Sequence, residues 1–249
     1  MSFLIGLIAG IIGGLVGLGG GVLMIPLMVS MKGIGQHKAH GTSLVAVVFT
    51  GIIGAVTYAS FNALDVWAAI LISAAALWPA RLGAKYCCEL PELKLKRIFG
   101  IFLIFVSFFL LLKPYFPSFS HSHMSLSEIT ILLMTGAATG FVSGIMGVGG
   151  SPIMIGGMVL LAGFDQYTAQ GSSLLAMVPL AAVGAFTHWR LGNVEENLLK
   201  GIIPGIILGT YAGGSCAHFL PENILRAIFA AILIWTGSRY VKSPLPSCD

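Results

Sequence analysis

Charge is what this chain has least of. Lysine, arginine, aspartate and glutamate make up 9% of its 249 residues, against roughly 25% in a soluble domain. Hydrophobic residues supply 57% and the mean hydropathy is +0.96, which excludes a soluble globular domain and describes an integral membrane protein. No carboxylate falls within an apolar run: Asp65, Glu89, Glu92, Glu128, Asp165, Glu195, Glu196, Glu222 and Asp249 all lie in loops or at segment ends. An intramembrane carboxylate is the usual mark of a cation site or a proton relay, so its absence argues against a cation as substrate. The chain also lacks any long basic run, which excludes nucleic acid as a partner. Catalytic signatures are missing as well, with no HExxH, no serine elbow and no paired carboxylates; neither an enzyme nor a cofactor is expected. Cys87, Cys88, Cys216 and Cys248 have no metal-ligand spacing, and His121 and His123 stand on a linker without further ligands, so no metal site is expected. The opening Met1-Ser2-Phe3-Leu4-Ile5 lacks a basic n-region and reads as the first membrane segment rather than a signal peptide.

Glycine, by contrast, is plentiful, with 33 residues. It is concentrated in Gly17-Leu18-Gly19-Gly20-Gly21 and in an echo, Gly147-Val148-Gly149-Gly150-Ser151, each inside a long apolar run. Glycine costs a helix about 1 kcal/mol per residue relative to alanine, so these clusters predict breaks where lipid would otherwise enforce continuous helix. Gly6, Gly10 and Gly14 have the four-residue spacing that lets membrane helices approach closely, and packing accounts for them. Packing accounts poorly for three consecutive glycines, which occupy different faces. After each break an apolar run resumes, Val22 to Met31 and Pro152 to Ala162, with Ser151 as N-cap and Pro152 at the first helical position of the second. A short helix starting inside the membrane aims unpaired N–H groups and about half a positive charge at whatever lies in front of it, which is an anion site.

The two clusters belong to a repeat with a constant shift of 130 positions. Gly10, Gly14, Gly17, Gly19 and Gly20 recur as Gly140, Gly144, Gly147, Gly149 and Gly150; Gln36, Ala39, Gly41 and Ser43 recur as Gln166, Ala169, Gly171 and Ser173; Leu90-Pro91-Glu92 recurs as Leu220-Pro221-Glu222. The expected organisation is a first repeat over 1–112, a linker over 113–128, a second repeat over 129–242 and a tail over 243–249. Further apolar runs cover Gly41 to Phe61, Val66 to Tyr86, Ile98 to Leu112, Gly171 to Thr187, Gly201 to Ala217 and Ile224 to Gly237, with Lys32 to His40 and Cys87 to Arg97 as polar connections. Length leaves the path of each broken segment open: Phe3 to Gly17 spans about 22 Å as a helix and Phe3 to Met31 about 43 Å, against a hydrocarbon core of roughly 30 Å. Charge separates the alternatives. A single crossing makes the halves parallel and splits the 13 cations eight to five, whereas a segment that returns to its own side inverts the halves and leaves only Lys113 and Arg226 outside. The positive-inside rule favours the second. The fold class is therefore an all-α membrane protein of about 8 to 10 helical segments, two inverted repeats carrying glycine-broken helices, re-entrant or half-length.

Small hydroxyls open the segment after each break, Gly41-Thr42-Ser43 and Gly171-Ser172-Ser173. They cap their own helix or face a ligand; these readings are evenly balanced. The candidate anion-binding set is Gly19, Gly20, Gly21, Thr42, Ser43, Gly149, Gly150, Ser151, Ser172 and Ser173, with Gln170 and His40 as weaker members. At these residues the chain resembles the TauE/SafE sulfite exporter (TSUP) family. The resemblance spans nearly the whole length and rests on the paired glycine-rich breaks Gly13 to Gly21 and Gly144 to Ser151 and the helix starts Thr42-Ser43-Leu44 and Ser172-Ser173-Leu174. His188-Trp189-Arg190-Leu191-Gly192-Asn193-Val194 and Lys96-Arg97-Ile98-Phe99-Gly100 are also similar to that family. It implies a multi-pass protein of the cytoplasmic (inner) membrane that moves sulfite, thiosulfate or organosulfonates such as sulfoacetate. The expected partners are a small sulfur anion and the lipid bilayer, with a homodimer as one candidate assembly. Three functions follow from the residues: a secondary transporter that alternates access, a passive anion channel, or a membrane-anchoring subunit with no transport of its own.

Overall fold

In a computed structural model, residues 1–86, 92–113, 126–146 and 150–242 are described. They form ten helices, five per half: α1 Ser2–Val16, α2 Gly21–Lys32, α3 Gln36–Ser60, α4 Val66–Tyr86, α5 Glu92–Leu112, α6 Leu126–Met146, α7 Ser151–Leu160, α8 Gln166–Arg190, α9 Glu196–Phe219 and α10 Glu222–Val241. Shifting α3 by 130 positions reproduces α8 from end to end, and the starts of α2, α4 and α5 become those of α7, α9 and α10. Among the described residues three helical stretches are long and apolar enough to cross a membrane: Lys38–Ser60, Leu126–Ser143 and Gln166–Arg190. Large apolar side chains, among them Trp67, Trp78, Phe105, Phe108, Met134 and Phe186, are exposed on the outside, as expected where the surrounding solvent is lipid.

Most helices begin earlier than their apolar runs. The stretch Lys32 to His40 is not all loop, because α3 starts at Gln36; Glu92 to Arg97 belongs to α5 rather than a turn; and α6 starts at Leu126, inside the stretch read as linker. Hydropathy marks only the part of a helix that meets lipid, while polar and acidic residues in the first turn remain helical because they complement its positive end. Glu92, Glu128, Glu196 and Glu222 all occupy such first-turn positions. The start of α4 is capped by Asp65, whose Oδ1 accepts the Ala68 N–H at 2.9 Å, and that of α8 by Asp165, whose Oδ1 accepts the Thr168 N–H at 2.9 Å. Residues 87–91 and the linker histidines His121 and His123 lie outside the described residues.

Each glycine-broken segment is a helical hairpin. A β-carbon at Gly20 would lie 2.8 Å from the Ala9 carbonyl oxygen, and Met24 and Met28 pack with Ile5 and Ala9, so α2 returns along α1. Gly150 meets Thr139 and Gly157 meets Thr135, so α7 returns along α6.

The helices that carry the hairpins are held by the opposite half. β-Carbons at Gly6, Gly10 and Gly14 would sit 2.3, 2.9 and 2.5 Å from the carbonyl oxygens of Ile202, Ile206 and Thr210, so α1 lies parallel to α9 with the backbones touching. The same contact recurs with the halves exchanged, where Gly136 and Gly140 put α6 parallel to α4 at 2.5 and 2.1 Å from the Ile72 and Ala76 oxygens. Two further pairings between the halves are antiparallel. Gly51 lies against Leu174 and Gly184 against Leu44, joining α3 to α8. Gly237 lies against Gly100, and the Ser107 hydroxyl donates to the Ala230 oxygen at 2.9 Å, joining α5 to α10.

Lys113 and Arg226, the two cations singled out by the charge count, meet at the α8 start. Lys113 Nζ donates to the Phe164 oxygen at 2.7 Å. Arg226 pairs with Glu222, whose Oε1 also accepts the Gln166 N–H at 3.1 Å. Burial, then the neighbouring Arg226, hold the Lys113 ammonium below the ordinary lysine pKa, against the pull of Glu222 and Asp165.

Candidate functional site

The first break is a run of left-handed turns. Helix α1 stops at Gly17, with φ 74° and its N–H on the Gly13 oxygen; Gly19 and Gly20 follow at φ 73° and 72°, and α2 begins at Gly21. A side chain would cost roughly 1–2 kcal/mol at each left-handed position, so the backbone itself demands glycine here. In the second break Gly150 has φ 68° and caps α7; Gly149 lies outside the described residues. Neither α2 nor α7 has a side-chain cap, which leaves their first N–H groups to other partners.

Ser151 does not take the cap position expected of it. The turn needs a positive φ there, and Gly150 supplies it, so Ser151 becomes the first residue of α7. Its hydroxyl is freed, and donates to the Met177 sulfur at 3.0 Å.

Met177 brings the two breaks together. It is 1% exposed, and a β-carbon at Gly19 would lie 2.1 Å from its Cε. One α8 side chain thus touches Gly19 of the first break and Ser151 of the second. Its repeat counterpart on α3, Val47, lies against Gly21, with Cγ2 at 3.0 Å from the β-carbon position, and packs in one cluster with Met177. The starts of α2 and α7, delivered by hairpins from different halves, therefore converge where α3 packs on α8.

The same face of α8 reaches the rest of the first break. Gly17 packs directly on Gln170, with the β-carbon position 2.9 Å from its Cβ and Cγ. Gln170 Oε1 accepts the Tyr58 hydroxyl at 2.8 Å, with the Gly14 oxygen also within reach of that hydroxyl at 3.1 Å. Gln170 Nε2 is fully buried and has no partner among the described residues. Ser173 donates to the Gln170 oxygen at 2.9 Å and lies 3.4 Å from the Gly17 oxygen.

Other candidate residues are engaged elsewhere. Thr42 Oγ1 accepts the Glu195 N–H at 2.9 Å and Ser172 Oγ accepts the Asp65 N–H at 2.8 Å, the same loop-pinning contact made once by each half on the other. Ser43 donates back to the His40 oxygen at 3.0 Å. Ser43 and His40 hold the register on α3 that Ser173 and Gln170 hold on α8, and the counterpart of Gly17, at 147, lies outside the described residues.

Two lining residues were absent from the expected set. Met177 and Tyr58 look like core residues in apolar helices, yet the 130-position shift pairs Tyr58 with His188, two polar residues at one register, and Met177 with the much shorter Val47. That comparison of helix interiors is the signal that finds them. The side chains gathered at the breaks carry no charge: the Tyr58, Ser151 and Ser173 hydroxyls, the Gln170 amide and the Met177 thioether, with the Gly14 and Gly17 carbonyl oxygens beside them. Among the described residues no three His, Cys, Asp or Glu side chains group as a metal set.

Comparison with known proteins agrees with a transport role. A family model described as "Sulfite exporter TauE/SafE" matches residues 2–240. The chain is 24% identical to the "Probable membrane transporter protein YunE" of Bacillus subtilis, over 97% of this chain and 98% of that one. It is 27% identical to YdhB of the same organism, also named a probable membrane transporter protein, over 92% and 95%. With MJ0441 of Methanocaldococcus jannaschii, likewise so named, it shares 29% identity over 78% and 73%. No solved structure matches the chain.

Proposed function

Since the chain belongs to the TauE/SafE sulfite exporter family and is a multi-pass membrane transporter, we propose that it moves small sulfur-containing anions across the cytoplasmic membrane by alternating access. Sulfite, thiosulfate and organosulfonates such as sulfoacetate are the substrate class. The observation that carries this reading is the contact of one side chain, Met177, with both breaks. The uncapped starts of α2 and α7 hold the anion through the N–H groups around Gly20, Gly21 and Ser151, where the helix ends favour negative charge without a fixed cation. Gln170 and Ser173 line the way along α8.

The halves act as inverted repeats. Supporting this, equivalent helices α3 and α8 run antiparallel, as do α5 and α10, and each broken segment folds back on itself. Rocking one hairpin and its α9 or α4 partner against the other would open the site to one side at a time. Both termini are cytoplasmic in this arrangement, and a reporter fused at Asp249 tests it.

The deciding measurement is uptake by proteoliposomes offered sulfite, thiosulfate, sulfoacetate, sulfate and chloride. Saturable uptake of the sulfur anions, abolished by Gly20→Val or Gly150→Val in protein that still inserts, is the expected result. Flux that does not saturate would make the protein a channel, and absence of any flux would make it an anchoring subunit.

A further inference from the structure

We propose that the Met177 side chain occupies the anion position in this structure and fixes the size of anion that can replace it. The inference rests on the transport reading above and concerns the same site. Three observations support it. Met177 is buried and wedged between Gly19 and Ser151, the two elements that the anion would have to touch together. The first repeat has the shorter Val47 at this register, against Gly21 and Gly19, so the scaffold does not require a long residue there.

The third observation is chemical. The Ser151 hydroxyl, at the start of α7, donates to a thioether sulfur, which is a weak acceptor. An oxyanion oxygen accepts a charge-assisted hydrogen bond about twice as strong as a neutral one. A donor spent on so poor a partner at a helix start is one that an arriving anion takes over. Methionine is unbranched and flexible, so rotation about its own bonds withdraws the sulfur and methyl without moving α8. The thioether then forms one wall of the occupied site, and its volume limits the organic part of a sulfonate.

The test compares Met177→Val, Met177→Leu and Met177→Cys in proteoliposomes. Shortening the wedge in Met177→Val should raise kcat/KM for sulfoacetate relative to thiosulfate on the order of tenfold, the discrimination that a methylene-sized change in an apolar wall provides. Met177→Leu, which keeps the bulk, should leave the ratio within about twofold. Met177→Cys, with the four natural cysteines replaced by serine, should react with an anionic methanethiosulfonate, and saturating thiosulfate should slow that reaction in parallel with its KM. Three results would each overturn the proposal: an unchanged substrate ratio in Met177→Val, a thiol modification rate in Met177→Cys that is indifferent to thiosulfate, or an introduced thiol that never reacts. Wild-type protein run alongside separates this from failure of the transport reading, because there the wild type itself would show no sulfur-anion uptake.

Discussion

Replacing Gly150 with alanine tests whether the second break is held by the contact the structure gives it. Alanine in the left-handed conformation costs roughly 1–2 kcal/mol. Its β-carbon would fall 2.3 Å from the Thr139 Cγ2, and relieving such an overlap costs about 1–3 kcal/mol. A loss of about 2–5 kcal/mol follows, which lowers the melting temperature of a chain this size on the order of 10 °C. The obstruction is a side-chain methyl, so it can be removed. Thr139 is fully buried and its hydroxyl has no partner among the described residues; Thr139→Ala therefore removes no hydrogen bond among them and recreates the Gly20 and Ala9 pair of the first repeat. Gly150→Ala/Thr139→Ala should recover more than half of the melting loss, leaving the left-handed penalty. Gly20→Ala has no such remedy, because its neighbour at 2.8 Å is the Ala9 carbonyl oxygen. Thermal melting in detergent, followed by size-exclusion fluorescence, reads all of these. A Gly150→Ala protein that melts like wild type, or a double mutant no better than the single, would refute the reasoning.

Three other outcomes are expected. Gly140→Ala should sharply reduce the yield of monodisperse protein, since its β-carbon would lie 2.1 Å from the Ala76 oxygen, whereas Gly33→Ala, with nothing within 4 Å, should cost only the left-handed penalty of about 1–2 kcal/mol. Tyr58→Phe should lower stability by about 1–3 kcal/mol by leaving the buried Gln170 oxygen unpaired, and should slow uptake as Gln170 loses its position, both read on purified protein. Because Lys113 in the fold releases its proton below the ordinary lysine value of 10.5, the unfolded chain binds more protons across that interval, and stability rises as pH climbs through it. Lys113→Met should remove this alkaline rise, seen by comparing melting temperatures in neutral and alkaline buffers.

Helix count and the location of both breaks were legible in the sequence because lipid leaves few other options for a chain so poor in charge. The shift that carries Gly17 to Gly147 also carries α3 onto α8. Helix ends were less legible: Gln36 and Glu92 are polar yet helical, and hydropathy does not register the hydrogen bonds that continue past the apolar stretch. The site was only half legible. Gly19, Gly20 and Gly150 declare themselves because left-handed backbone has a composition, but a serine or threonine at a helix start gives no indication of where its oxygen points. Thr42 and Ser172 point to loops of the opposite half, and that partnership exists only after α8 and α3 have packed. Met177 was hidden for the opposite reason, since a methionine in an apolar helix looks like filling until its neighbours are known.

The exchange of partners between the halves, α1 on α9 and α6 on α4, bears on how such a chain could have arisen. A lone repeat would leave the glycine stripe of its opening helix uncovered, because the surface complementary to that stripe belongs to the fourth helix of a second repeat. A chain of one repeat could cover that stripe in this way only with a second copy of itself, an arrangement that joining two copies end to end preserves. It follows that the two halves, translated as separate polypeptides, should find one another in the bilayer and rebuild the whole.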